Sequence, residues 1–290
     1  MTATKAIRAL RERARQLKAK WPGYGAVLDF YVKVREAQAS AKASSRVDPA
    51  TFRKDEGCPL LAKEDFPVDI AASTGLFHSL CRIGKKANPH LAEQIGKMTG
   101  IVAHEESVLE KLLARAGDEQ AIERFAAERG LDKQVLSFLV GSSTRPSIEA
   151  GSKQLRAGLE LETWRQGQCP VCGSLPALSL LKREGGSRYA LCSYCACEWR
   201  IERLFCAVCG NKEQESLQYF VSEGEEVYRI DLCDQCHHYI KTIDYRSLEE
   251  SDPCLEDLAT LHLDVVAADK GYARVVPNPW TTREATQRLM

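Results

Sequence analysis

The sequence has no long apolar run. Nowhere in its 290 residues are there the roughly 18 to 20 uninterrupted apolar positions that a membrane span needs. The stretch MTATKAIRALRERARQLKAKW lacks the hydrophobic core of a secretory signal, so neither membrane insertion nor export is expected. Net charge is also missing, with 40 Lys and Arg against 40 Asp and Glu. No region compensates: residues 1–164 hold 26 basic against 21 acidic groups, residues 165–248 hold 10 against 11, and the remainder 4 against 8. Gripping a phosphate backbone requires a basic surface, so nucleic-acid binding is not expected. Histidine is scarce, and His78, His90 and His104 fall in helical stretches without HExxH spacing. They read as surface or structural side chains. No catalytic constellation accompanies them, and the chain is not expected to be an enzyme.

What is present first is helical periodicity. Ile7, Leu10, Ala14, Leu17 and Trp21 follow alternating spacings of three and four, which line one face of a docking helix. Residues 26–44 form a second candidate. After the connector EGCPLLAKEDFPVD, a third spans 70–83. Asn88-Pro89 supplies a cap and a proline for the first helical position. The helix it opens carries Leu91, Ile95, Met98, Val102, Leu109, Leu112 and Leu113 and stops at Gly117. Further helices fit 118–129, 132–140 and 146–164, the last starting at Pro146. Residues 1–166 are thus expected to form an all-α domain.

Cysteine is the abundant exception: of 12 cysteines, eight lie between 169 and 236 as four Cys-x-x-Cys pairs. Without an export signal, such crowding indicates metal ligation in a reducing compartment, taken to be the cytoplasm. Two cysteines three apart place both sulfurs on one ion at about 2.3 Å, and a β-hairpin returns the second pair. Hairpins are visible in 178–181 with 188–192 across Glu184-Gly185-Gly186-Ser187, and in 217–221 with 227–232 across Ser222-Glu223-Gly224-Glu225. The sites are expected to be sequential: Cys169, Cys172, Cys192 and Cys195, then Cys206, Cys209, Cys233 and Cys236. An interleaved pairing is the alternative. The first knuckle of each site ends in glycine, CPVCG and CAVCG, which permits positive φ where amides turn toward sulfur.

The expected architecture is α+β: the helical domain, two tandem ribbons of the rubredoxin or zinc-ribbon kind at 167–204 and 205–250, and a C-terminal helix with an extended tail at 251–290. That helix begins at Asp252-Pro253 and carries Leu255, Leu258, Leu261, Val265 and Ala268. Cys197 is expected not to ligate, and Cys254 lies outside both quartets. Cys58 and Cys81 are expected to be buried in the helical domain. His237 or His238 is an alternative nitrogen ligand. Four thiolates around a divalent ion leave about two negative charges per site and no vacant position, which disfavours metal-assisted hydrolysis. Spacing alone admits zinc or iron.

GQCPVCGSLP, LCSYCACEWRIERLFCAVCGN, LCDQCHHYIKTID and DLATLHLDVVAADKGYARVVPNPW, with GCPLL and FPVD as weaker support, cover about a third of the chain. Together they resemble the formate dehydrogenase accessory (formation) proteins, the FdhE family. Cys197 departs from the family pattern. The resemblance implies a cytoplasmic bacterial assembly factor needed for active respiratory formate dehydrogenase. Such a factor binds the selenocysteine- and molybdopterin-containing catalytic subunit before export, with iron associated with the eight knuckle cysteines. A rubredoxin-like electron carrier and a zinc-ribbon nucleic-acid binder are the alternatives. The first would require iron, and the second is opposed by the acidic balance of 165–248.

Overall fold

The computed structural model describes residues 3–48, 52–53, 57–157 and 164–280. The chain divides into two compact units, Met1–Ala50 with Lys63–Gln154, and Thr51–Ala62 with Leu155–Met290.

The first unit is helical: α1 (Ala3–Lys20), α2 (Gly25–Ser40), α3 (Ile70–Gly84), α4 (Pro89–His104), α5 (Glu106–Ala114), α6 (Glu119–Glu128) and α7 (Lys133–Arg156). The α1 stripe turns Leu10, Ala14 and Leu17 into a core shared with Leu28, Val34, Phe77, Ile95 and Leu113. Side chains cap the helix starts. Asp69, Asn88 and Asp118 accept the N–H groups of Ala72, Leu91 and Ala121. Gly117 ends its segment for a packing reason, since a Cβ there would lie 2.2 Å from the Lys63 carbonyl oxygen.

Two helix boundaries differ from the sequence expectation. The segment read as one helix from Pro89 breaks at Glu105, which leaves helical geometry at φ −129°, while its carboxylate pairs with the Arg129 guanidinium, Nη2 to Oε2 at 2.9 Å. Helix resumes one residue later, so the apolar spacing carries no trace of the break. Conversely, the segments separated at Pro146 are one helix, α7. Proline has no N–H to give the carbonyl four residues back. Here that carbonyl belongs to Ser142, and the buried Gln38 amide donates to it at 2.8 Å. The missing bond is replaced from α2, and the helix continues. The end of the expected 146–164 helix, at 158–163, lies outside the described residues, as does 281–290 of the tail.

The second unit holds seven strands: β1 (Pro176–Lys182), β2 (Ser187–Cys192), β3 (Glu198–Ile201), β4 (Leu217–Val221), β5 (Tyr228–Cys233), β6 (His238–Asp244) and β7 (Ala273–Arg274). Both expected hairpins form, β1 with β2 and β4 with β5. The sequence reading missed β3 and β6, the third strand of each half. The two halves also join in one sheet, in the order β3-β2-β1-β6-β5-β4. The seam is the parallel pair β1 and β6, with Ser179 opposite Thr242 and Leu181 opposite Asp244. Both strands are almost continuously buried, as central parallel strands require. The other end of the same β6 edge takes β7, with His238 opposite Ala273.

Arg188 spans the seam. Its side chain is buried and donates to Ser179 Oγ at 2.9 Å, to the carbonyls of Phe205 at 3.0 Å and Arg203 at 3.2 Å, and to Asp231 Oδ2 at 3.2 Å. One guanidinium thus ties β2, β1, β5 and the segment leading to Cys206. Thr242 on β6 donates to the same Asp231 oxygen. A second buried network holds the C-terminal segment. The helix expected from Pro253 breaks into α8 (Pro253–Leu258) and α9 (Leu261–Asp269). The break presents the carbonyls of Asp257 and Thr260 to the Lys241 ammonium at 3.1 and 2.9 Å. Lys241 also pairs with Asp257 and Asp264, each at 2.8 Å, and Arg274 with the same carboxylates at 2.7 and 2.9 Å. Two cations and two carboxylates close a neutral, buried set, as ionic groups out of water must.

Candidate metal centres

Each hairpin ends beside a knuckle, and the sulfurs converge. In each of the two quartets, Cys169, Cys172, Cys192 and Cys195, and Cys206, Cys209, Cys233 and Cys236, the four Sγ atoms lie within 4.8 Å of one another. The grouping is sequential. The Sγ atoms of Cys169 and Cys195 are 3.6 Å apart and those of Cys172 and Cys192 3.4 Å. In the second quartet, Cys206 to Cys236 and Cys209 to Cys233 are each 3.7 Å. A disulfide would need about 2.05 Å. A tetrahedral ion at about 2.3 Å from each sulfur requires edges of about 3.8 Å. The donor sets therefore fit one four-coordinate, thiophilic ion each, and the chain carries two tetracysteine metal-binding sites.

The local backbone follows from this geometry. A knuckle turns its amides onto the first sulfur, which requires a left-handed residue after the second cysteine. Gly173 and Gly210 take φ values of 74° and 75°, as their sequence positions led us to expect. Ala196 and His237 occupy the same place in the other two knuckles at 54° and 52°. There the strain of a left-handed non-glycine residue is accepted, and no glycine marked the position. The carbonyls of Cys169, Cys206 and Cys233 are held too, by the N–H groups of Gly173, Gly210 and His237 respectively, each at 2.9 Å. The amides of Tyr194 and Cys195 donate to Cys192 Sγ, each at 3.4 Å. The residue after each glycine also faces sulfur: Ser174 Oγ lies 3.4 Å from Cys172 Sγ, and Asn211 Nδ2 3.5 Å from Cys233 Sγ. Beyond its repeated position, no sequence signal marks this pair.

Electrostatics separate the quartets' members. Burial pushes the Cys169 and Cys195 thiols well above the ordinary range. Hydrogen bonds from Cys169, Cys192 and Cys195 hold Cys172 far below it. In the second quartet, burial opposes the Cys233 thiolate. Bonds from the Asn211 amide and from the backbone at Cys236 and Gln235 outweigh it and bring the thiol down to about 7. Sulfurs that resist ionisation in a bare cluster become thiolates when a cation compensates their charge, so ion binding is coupled to proton release.

The sites differ in their cover. All four sulfur residues of the first are buried, whereas Cys209 of the second is exposed and Cys236 partly so. The first is lidded by the GCPLL segment. The N–H groups of Leu60 and Leu61 donate to the carbonyls of Pro170 and Val171, each at 3.0 Å, and Gln166 Nε2 to Gly57 O at 2.7 Å. Leu61 points inward and is buried, while Cys58 is exposed. The expectation of a buried Cys58 in the helical domain is thereby corrected: its segment pairs with the first knuckle, and alternation along it turns Leu61 in and Cys58 out. Cys81 is buried in α3, which pushes its thiol up to about 11.

Cys197 is buried next to the first quartet but outside it, its Sγ 3.7 Å from the Glu198 carbonyl. Cys254 lies in α8, its N–H bonded to Asp252. His237 packs its ring on Tyr272 at 5.8 Å, and His238 Nδ1 lies 2.8 Å from the Cys236 carbonyl oxygen. Neither joins the quartet. His90 pairs with Asp132 at 3.0 Å, His104 Nδ1 lies 2.8 Å from the Gly100 carbonyl oxygen, and His78 packs on Phe77. These three do not converge. Among the described residues no helix is long and apolar enough to cross a membrane.

A helical unit followed by one sheet with two tetracysteine knuckle pairs defines a two-site, rubredoxin-like metal-binding protein. The families that match are the FdhE central domain, over residues 168–203, and the FdhE C-terminal domain, over 204–281. The fold is similar to the crystal structure of the FdhE protein from Pseudomonas aeruginosa, with a TM-score of 0.70 at 25% identity over 96% of each chain. A protein FdhE homolog from Aquifex aeolicus is 35% identical over 154 residues, 52% of this chain and 54% of that one. One from Haemophilus influenzae is 25% identical over 254 residues, 87% and 80% respectively. The two domain matches together span residues 168–281, and there and in fold the chain is similar to FdhE proteins. Its alignment with the Aquifex relative spans about half of that protein's length.

Proposed function

We propose that this protein is an accessory factor for assembly of respiratory formate dehydrogenase, binding the enzyme's catalytic subunit in the cytoplasm and doing no catalysis itself. The observation that carries the proposal is the pair of closed quartets in a chain that matches the FdhE central and C-terminal domains. Four sulfurs fill a tetrahedral site, leaving no position for a substrate or an attacking water. The eight cysteines are the proposed ligands of two mononuclear sites. Iron is the proposed ion, by the resemblance of the knuckle sequences, and zinc the alternative. Iron would add a one-electron couple, whereas zinc would only hold the fold. In either case the chain's own groups prepare the site: the turned amides and Asn211 offset thiolate charge, and the left-handed residues close the knuckles.

Anaerobic affinity purification from cells making the dehydrogenase is expected to recover its catalytic subunit with the tagged protein. Failure to recover it would sink the assembly role. Elemental analysis and a visible spectrum of anaerobically purified protein decide the ion. Iron absorption bands support the proposal, and two equivalents of zinc would replace it. Zinc alone would also exclude an electron carrier.

A further inference from the structure

The outer edge of the sheet is built to take another strand. β4 ends the strand order, so among the described residues only one of its edges is paired. A single bond fixes the phase of its ladder: the Asp234 N–H donates to the Ser216 carbonyl at 2.9 Å. Leu217 opposite Cys233 is then a non-hydrogen-bonded pair. Gln218 with Leu232 and Phe220 with Ile230 are the bonded ones. The N–H and C=O groups of Tyr219 and Val221 and the C=O of Leu217 therefore point away from the sheet, and among the described residues none takes them up, whereas the Leu217 N–H donates to the Gln214 carbonyl. Tyr219 and Val221 also share a face, 64% and 42% exposed.

Free edges are normally blunted by lysine, proline or a bulge. LQYFV has none of these. It is instead bracketed by acid: residues 213–226 contain Glu213, Glu215, Glu223, Glu225 and Glu226 and no Lys or Arg. Four of the five are exposed, and Glu225 lies 2.7 Å from the His262 ring. The cations beside β4 are engaged, Lys212 with Glu202 at 2.9 Å, Arg229 over the Tyr219 ring at 5.1 Å and Lys270 over the Phe220 ring at 5.9 Å. Pairing β4 with β4 of a second copy would bring two such acidic brackets together, which like-charge repulsion opposes. Complementarity selects a basic partner.

We propose that β4 binds an extended polypeptide segment of a client protein by strand addition. The client's alternate apolar side chains lie beside Tyr219 and Val221, and Lys or Arg at both of its ends face the glutamates. The client's existence rests on the assembly role above; the chemistry of the edge does not.

The test uses the full-length, metal-loaded protein and a blocked, labelled peptide, Lys-Arg-Thr-Val-Thr-Val-Thr-Arg-Lys, followed by fluorescence anisotropy. Saturable binding that weakens with added salt is expected. The same peptide with Glu in place of every Lys and Arg should not bind. Tyr219→Pro removes an outward donor but no ladder bond, and should weaken binding about ten-fold or more with metal content unchanged. Combined Glu213→Gln, Glu215→Gln and Glu223→Gln should weaken binding and flatten its salt dependence. No binding by the basic peptide, equal binding of the acidic one, or unchanged binding in both variants would overturn the proposal. So would concentration-dependent dimerisation lost in Tyr219→Pro, which would make a second copy the occupant. If wild type and Tyr219→Pro recover the catalytic subunit equally from cells, strand addition falls and the assembly role stands. If wild type recovers none while the peptide binds, the reverse holds.

Discussion

The first tetracysteine site is sealed by its neighbours, whereas the second leaves Cys209 in contact with solvent. Both come from one duplicated plan: a glycine-ended knuckle, a hairpin, a second knuckle and a third strand. Their sulfur geometries agree, so coordination does not account for the difference. The cover does. GCPLL reaches the first knuckle from more than a hundred residues away in sequence and bonds to its backbone at Leu60 and Leu61. At the second site the C-terminal segment bonds only to the later knuckle, Ala273 N–H to the His237 carbonyl at 2.8 Å and Tyr272 Oη to Asp234 Oδ1 at 2.5 Å, and among the described residues no such backbone pairing reaches Ala207 or Val208 between Cys206 and Cys209. Burial of a metal site is thus set by what packs over the knuckle, and duplication copies the ligands without the lid.

The strongest way to break this comparison is to remove a ligand from each site. Cys192→Ser is expected to cost ~5 kcal/mol or more, enough to unfold the sheet unit, because metal binding in such a site supplies folding free energy. Cys209→Ser should lose one equivalent of metal but leave more of the sheet protected in amide hydrogen exchange. Equal collapse of both variants would show that the sites are one cooperative element. Chelator competition sharpens the same point without mutation. The second ion should leave at least about ten-fold faster, giving a plateau at one equivalent, since a lidded site is released only by local opening. A single release phase would count against the lid.

Arg188 tests how far the halves are independent. Arg188→Met removes the bonds that bind β2 to Asp231 and to the chain before Cys206, and should cost about 3 kcal/mol. A single thermal unfolding transition should then split in two. A smaller effect comes from pH. Burial raises the Asp257 pKa, but Arg274 and Lys241 outweigh it and hold the carboxyl below its usual value. A depressed carboxylate contributes stability present above the unfolded pKa and lost as pH falls through the folded one. Below about pH 4, where ordinary carboxylates titrate, exchange protection at β6 and β7 should therefore fall. Asp257→Asn should remove that pH dependence.

The smallest contrast lies in the glycines. At Gly210, alanine meets no neighbour within 4 Å and incurs only the left-handed strain of about 1 kcal/mol. At Gly173 it also meets Pro59 Cγ at 3.0 Å, so Gly173→Ala should cost more. Equal melting shifts would remove Pro59 from the lid.

Much of this was legible in the sequence because it repeats at short range. Cys-x-x-Cys spacing, glycine after the knuckle, hairpin turns and the Asn88 and Asp252 caps are local signals, and each sits where expected. What escaped was settled at long range. The alternation that marks a half-exposed strand is absent from β6, buried on both faces, and the β1 to β6 seam has no local signature. Pro146 signals a helix end, and only Gln38 on another helix lets α7 continue. The lid over the first site was visible as a motif, but its contact was not.

The parallel seam also has a consequence in time. All four cysteines of the first quartet have been synthesised by residue 195, so that site can fill early. The inner edge of β1 must wait for β6, whose last residue follows that of β1 by 62 positions, from Lys182 to Asp244. At roughly 5 to 20 residues per second, a nascent chain carries an open, leucine-rich strand edge for about 3 to 12 s. During that interval a completed first site holds the hairpin in shape while the edge stays sticky, and the ribosome, rather than the folded protein, sets how long.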